Sequence, residues 1–180
     1  MDEELLNKIF CAALNLFFVK EKSGLEINVA ERSLANRLAA YLEAEAARVG
    51  LKGYFVDTEY NRKQNGEIKT IIDGDSLVIK VNPDVIFHSR GNSVENDNLI
   101  AIEMKKSDRP RKEKASDRKR LEIMTKPSYD DVWSADGDTH PEYVCGYKLG
   151  YYLELDIASQ TALLETYKLG QLIKAVTINL

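Results

Sequence analysis

The 180-residue sequence predicts an α/β fold, a central mixed and mostly antiparallel sheet flanked by helices, in a single domain spanning 1–180. Three observations predict it. Two stretches near the N-terminus carry apolar residues at helical spacing, β-rich segments separated by turn residues follow from residue 54, and a basic amphipathic stretch lies between strand-like segments.

The elements follow in order. Leu5, Leu6, Ile9, Phe10, Ala13, Leu16 and Phe17 recur at three- and four-residue intervals, so the first twenty residues predict a helix that a Lys-Ser-Gly break ends. A second helix is expected over 28–49, with Asn28 as its N-cap, Leu34, Leu38, Leu42 and Val49 on its buried face, and Gly50 and Gly53 closing it. Residues 54–60 read as a strand, and 68–72 and 77–81 flank Asp73-Gly74 as a hairpin. Residues 81–88 and 99–106 read as two strands joined by the polar loop 89–98. A helix over 114–125, an acidic polar loop over 127–142, and strands at 143–157 and 162–167 complete the chain.

Composition narrows the function classes. With 44% hydrophobic and 30% charged residues and no apolar run near the roughly 20 residues that span a bilayer, the chain is expected to be soluble, with no membrane partner. The acidic start Met1-Asp2-Glu3-Glu4 is unlike a secretory signal, so a cytoplasmic location is expected. Cys11 and Cys145 are too few and too far apart for a zinc site and read as buried free thiols, one in a helix and one in a strand. The net charge of −4 hides an asymmetry: residues 105–120 hold nine Lys or Arg against three acidic residues, a local excess of six that leaves −10 elsewhere. Within that strip Lys106, Arg109, Arg111, Lys112 and Lys114 are candidate phosphate contacts, with a solvated helix face as the alternative.

Alternation along 99–106 places Ile100, Ile102 and Met104 on one face and Glu103 and Lys105 on the other. If 81–88 pairs antiparallel with it through the intervening loop, His88 lies opposite Leu99 and Asp84 opposite Glu103. Opposed carboxylates repel unless a cation lies between them, and oxygen ligands suit Mg²⁺, for which Mn²⁺ substitutes. Lys105 adds a fixed positive charge where a phosphoryl transition state gathers negative charge. Pro83, which lacks a ladder donor, is placed to bend the strand and aim Asp84. The acid-x-Lys spacing recurs at Glu67–Lys69 and Asp117–Lys119, but only Glu103–Lys105 ends an apolar strand preceded by a Pro-Asp strand.

Asn82-Pro83-Asp84-Val85-Ile86 followed by Leu99-Ile100-Ala101-Ile102-Glu103-Met104-Lys105 resembles the signature of the PD-(D/E)xK nuclease superfamily. The wider likeness, over about residues 28–126, is to uncharacterised bacterial members. The resemblance implies a restriction-endonuclease-like core, Asp84 and Glu103 as metal ligands with the Met104 carbonyl as a further one, and Lys105 as the catalytic lysine. It also implies a glutamate from the helix before the sheet. Glu31 is the candidate, since it heads the stripe Leu34, Ala35, Leu38; the competing account makes Asn28 and Glu31 a capping box. The expected activity is metal-dependent hydrolysis of nucleic-acid phosphodiesters, DNA ahead of RNA. Specificity is left to a second copy of the chain or to a partner protein. The alternative is a nuclease-like module that binds or regulates without chemistry. His88, Glu59, Arg62, Arg90 and Gly91 are weaker candidates around the cleft.

Overall fold

The computed structural model describes residues 1–59, 70–73, 78–80, 83–93, 96–127, 132–134 and 145–180. Helices α1 (Glu3–Lys20), α2 (Lys22–Glu26) and α3 (Glu31–Arg48) precede strands β1 (Phe55–Thr58), β2 (Thr70–Asp73), β3 (Val78–Lys80), β4 (Val85–His88) and β5 (Asn98–Lys106). Helix α4 (Arg111–Met124) and strands β6 (Val132–Ser134), β7 (Leu149–Asp156), β8 (Thr161–Lys168) and β9 (Gln171–Asn179) follow. The main sheet has the order β1-β4-β5-β7-β8-β9. All its neighbours pair antiparallel except β5 and β7, which run parallel. The expected mixed α/β layering is present.

A smaller sheet, β3-β2-β6, contains the expected pairing of β2 with β3, with Thr70 opposite Lys80. The residues joining those two strands lie outside the described ones. Strand β6 forms within the stretch expected to be an acidic loop.

Alternation in β5 builds two interiors. Ile100, Ile102 and Met104 join Leu6, Phe10 and Phe17 of α1 and Leu34, Leu38 and Leu42 of α3 in the larger core. Phe10 stacks on Tyr151 of β7 with ring centroids 3.6 Å apart, and each such fully buried side chain stabilises the fold by about 1.5–3 kcal/mol. On the opposite face Ile86, Ala101 and Tyr152 pack with Leu121 and Met124 of α4. That face also carries Glu103 and Lys105.

Several local expectations need correction. Asn28 is not an N-cap: its φ is +58°, the helix starts at Glu31 after Ala30, and no side chain caps it. The Asn28 side-chain oxygen instead accepts from Lys106 Nζ at 2.6 Å, so the capping box is not formed. Val49 is 40% exposed, because it falls at the C-cap, beyond the last helical residue. Cys11 is exposed rather than buried, its thiol donating to Asn7 Oδ1 at 3.8 Å, while Cys145 is buried but precedes β7 instead of lying in a strand. Strand β9 was not foreseen. Among the described residues, no helix is long and apolar enough to cross a membrane.

Candidate active site

The expected register holds where the site is built. Val85 faces Ile102, Ile86 faces Ala101 and Phe87 faces Ile100, so the next step outward sets Asp84 against Glu103. The alignment slips only between Phe87 and His88, where an irregularity puts His88 opposite Asn98 rather than Leu99. Asp84 follows the buried Pro83 just ahead of β4. Its Oδ2 accepts from the Met104 N–H at 2.7 Å, which fixes the carboxylate across the strand gap.

Glu103 is fully buried. Its Oε1 accepts from Arg120 Nε at 2.6 Å, and its Oε2 has no hydrogen-bond partner. Arg120 also donates from a terminal nitrogen to Asp117 Oδ1. The other oxygen of Asp117, likewise buried and without a hydrogen bond, lies 3.2 Å from Lys105 Nζ, an ion pair whose angles fall short of a hydrogen bond. Asp84, Glu103, Lys105, Asp117 and Arg120 therefore form one network between β5 and α4.

Each ionisation reflects that crowding. Burial pushes the Glu103 carboxyl up to about 8, with Asp84 and Asp117 adding to it and Arg120 opposing it. Burial also raises Asp84, against the Met104 N–H and Lys105. For Lys105 and Arg120 burial works against the charge, but the surrounding carboxylates outweigh it and both pKa values rise. The three acids and two bases leave one net negative charge when all are ionised. A divalent cation would reverse that sign.

Glu31 lies at the first position of α3, and its oxygens are taken. Oε1 accepts from Lys106 N at 3.0 Å and from Arg109 Nε at 2.9 Å, and Oε2 from the other Arg109 branch at 3.4 Å. Although burial resists it, these donors together with Lys105 hold the Glu31 carboxyl below its ordinary range. Among the described residues, no three His, Cys, Asp or Glu side chains are gathered to hold a metal ion. The residues that could contribute to holding one are Asp84 and Glu103, whose Oε2 has no hydrogen-bond partner; Mg²⁺ ordinarily keeps several waters beside one or two carboxylates.

The basic strip is largely paired with the chain's own carboxylates. Lys114, expected to meet phosphate, is 14% exposed and bonds Glu154 Oε1 at 2.8 Å and the Ser107 carbonyl at 3.0 Å. Arg118 bonds Glu165 Oε2 at 2.8 Å and lies over the Tyr152 ring. Lys106 and Arg109 are held by Asn28 and Glu31. Arg111 and Lys112, exposed at the start of α4, make no ion pair among the described residues.

His88 meets Asp57 at 2.8 Å, and Asp57 also accepts from Arg90, so both belong to a cluster at the other end of β4. Glu59 pairs with Arg32 at 2.7 Å, and Arg62 lies outside the described residues. Sequence reasoning missed Asp117 and Arg120. The signal was present: Asp117, Leu121 and Met124 continue one helical stripe at spacings of four and three, so an acid headed a buried face. Comparison of the chain with protein-family models, with curated proteins and with solved structures finds no match.

Proposed function

We propose that the chain is a divalent-metal-dependent nuclease of the PD-(D/E)xK type, with a restriction-endonuclease-like core, hydrolysing phosphodiester bonds of nucleic acid, DNA ahead of RNA. The observation that carries this reading is Glu103: a fully buried carboxylate with one oxygen unpartnered, next in sequence to the Met104 N–H that holds Asp84, and two residues from Lys105 on the same strand face. A structural core gains nothing from an orphan oxygen at that depth, which costs about 1–3 kcal/mol.

A bound Mg²⁺, or Mn²⁺ in its place, supplies a Lewis acid for the phosphate and activates water. Asp84 and Glu103 would hold it, with the Met104 carbonyl as a further ligand. The Met104 N–H fixes the rotamer of Asp84, so that one carboxylate is already oriented. Lys105, kept protonated by Asp117 and Asp84 despite burial, presents a positive charge where negative charge accumulates as the phosphorus becomes five-coordinate. Glu31 can join only if Arg109 releases it.

A second reading is a module that binds or regulates without cleaving. It is favoured by the pairing of Glu103 with Arg120 and of Lys105 with Asp117, which neutralises all of the site's charge but that of Asp84. Calorimetric Mn²⁺ titration with cleavage of a mixed DNA and RNA panel separates the two. For a nuclease, Asp84→Asn and Glu103→Gln lose Mn²⁺ affinity and cleavage together, while Lys105→Met keeps the ion and loses turnover by about 10²-fold or more. Wild-type protein that takes up no Mn²⁺ and cuts nothing in the panel would leave only the second reading.

A further inference from the structure

We propose that Arg120 is the resident cation of this site, holding Glu103 in place of a divalent ion and releasing it when the ion binds. The inference rests on the metal-site reading above and adds to it a latch on helix α4.

The geometry points away from a purely structural ion pair. An arginine that serves only to neutralise a buried carboxylate commonly grips both oxygens with its two-pronged fork. Here the fork is divided: Nε serves Glu103 Oε1 and a terminal nitrogen serves Asp117 Oδ1, so Glu103 Oε2 stays without a donor at a fully buried position. Glu103 is thus half satisfied, and the charge of Asp84, whose carboxylate is held by the N–H of the next residue along β5, reaches it. A divalent ion there and a guanidinium on the same carboxylate repel each other, so entry of one disfavours the other.

Release does not strand the guanidinium. Asp117 remains as its anchor, and the Arg120 side chain keeps 15% of its surface exposed, so it can turn about that anchor toward solvent. Lys105 cannot replace it on Glu103, because its ammonium sits with the other oxygen of Asp117. The freed positive charge stays on α4, paired with Asp117.

The test is Mn²⁺ titration of the full chain at about pH 8.5, where protons compete least for the carboxylates. Arg120→Gln is expected to bind Mn²⁺ about tenfold more tightly than wild type. Arg120→Lys, which keeps a charge but loses the divided fork, should fall between them. Combining Arg120→Gln with Glu103→Gln should erase the gain, since the latch acts through Glu103. In parallel, the Arg120 Nε–H resonance of the wild-type protein should shift and exchange faster with solvent on saturation with Mg²⁺.

Affinity of Arg120→Gln equal to or below wild type, while Glu103→Gln loses binding, overturns the latch and leaves the metal site standing. Absence of Mn²⁺ binding in every variant and the wild type overturns both. Should Arg120→Gln fail to fold, the resonance decides alone: a signal unmoved by saturating Mg²⁺ overturns the latch.

Discussion

Replacing Gly150 with alanine probes how closely α4 must approach the sheet to deliver Asp117 and Arg120. A Cβ at that position of β7 would lie 2.9 Å from Thr125 Cγ2, 3.2 Å from Tyr167 Cβ and 3.3 Å from Leu121 Cδ2. The nearest atom belongs to a side chain that cannot easily turn away. Thr125 Oγ1 donates to the Leu121 carbonyl at 2.8 Å and accepts from Gly170 N at 3.2 Å. Overpacking of this kind costs about 1–3 kcal/mol, offset by roughly 0.4–1 kcal/mol from the lower chain entropy of unfolded alanine. A net loss of about 1–2 kcal/mol should lower Tm by roughly 2–8 °C in a chain of this size. Thermal melts and urea titrations of the variant measure it directly. Thr125→Ser removes the obstructing methyl and keeps the hydroxyl, so the double variant should recover most of the loss, a coupling that a double-mutant cycle isolates. A Gly150→Ala protein as stable as wild type, or a double variant no better than additive, would refute the close-approach argument.

Three further outcomes follow from other parts of the molecule. Burial resists the charge of Asp57, but Arg90 and His88 hold its carboxyl below the ordinary range. Its contribution to stability is therefore present at neutral pH and is lost as pH falls from the unfolded value of about 3.9 through the folded one, so the gap between wild type and Asp57→Asn in denaturant melts should close in acid. Glu31→Gln keeps an acceptor for the Lys106 N–H and loses the charge facing Arg109; stability should fall by about 1 kcal/mol with Mn²⁺ affinity within about threefold, whereas a tenfold loss by titration would make Glu31 a ligand. Arg111→Glu with Lys112→Glu should weaken nucleic-acid binding and reduce the slope of log K against log salt by about 2, and an unchanged slope would mark these residues as ordinary surface.

The site's centre was legible because it depends on local rules. Alternation on one strand and a hairpin-compatible loop are enough to bring Asp84 to Glu103, and the pairing from Val85 to Phe87 follows that register. The spacing of Asp117, Leu121 and Met124 marks a buried face of α4, but that this face folds back over β5, carrying Asp117 and Arg120 to Glu103, is not encoded in any spacing. The Asp117–Lys119 spacing looked like noise. Asp117 is buried all the same, through Lys105 and Arg120 rather than through Lys119. Strand β9 escaped because Leu172 and Ile173, and Ala175 and Val176, fall as adjacent apolar pairs instead of alternating with polar residues. Asn28 looked like a cap by residue type, but Lys106, 78 positions away, claims its side chain. The parallel seam between β5 and β7 has the same origin: it is a long-range pairing whose direction neither strand records.

That seam divides the main sheet into two antiparallel halves, β1-β4-β5 and β7-β8-β9. The bonds that organise the site within the first half and α4 span short stretches of chain, 20 residues from Asp84 to Met104 and 17 from Glu103 to Arg120. Those that tie α4 to the second half span 40 residues for Lys114–Glu154 and 47 for Arg118–Glu165. Loop-closure entropy grows with that separation and favours the shorter bonds first. In a folding reaction the carboxylates should acquire their arginine before the sheet is whole. The like charges of Asp84 and Glu103 would then already be screened when the β7 ladder closes beside them, so assembly of the sheet need not wait for a metal ion.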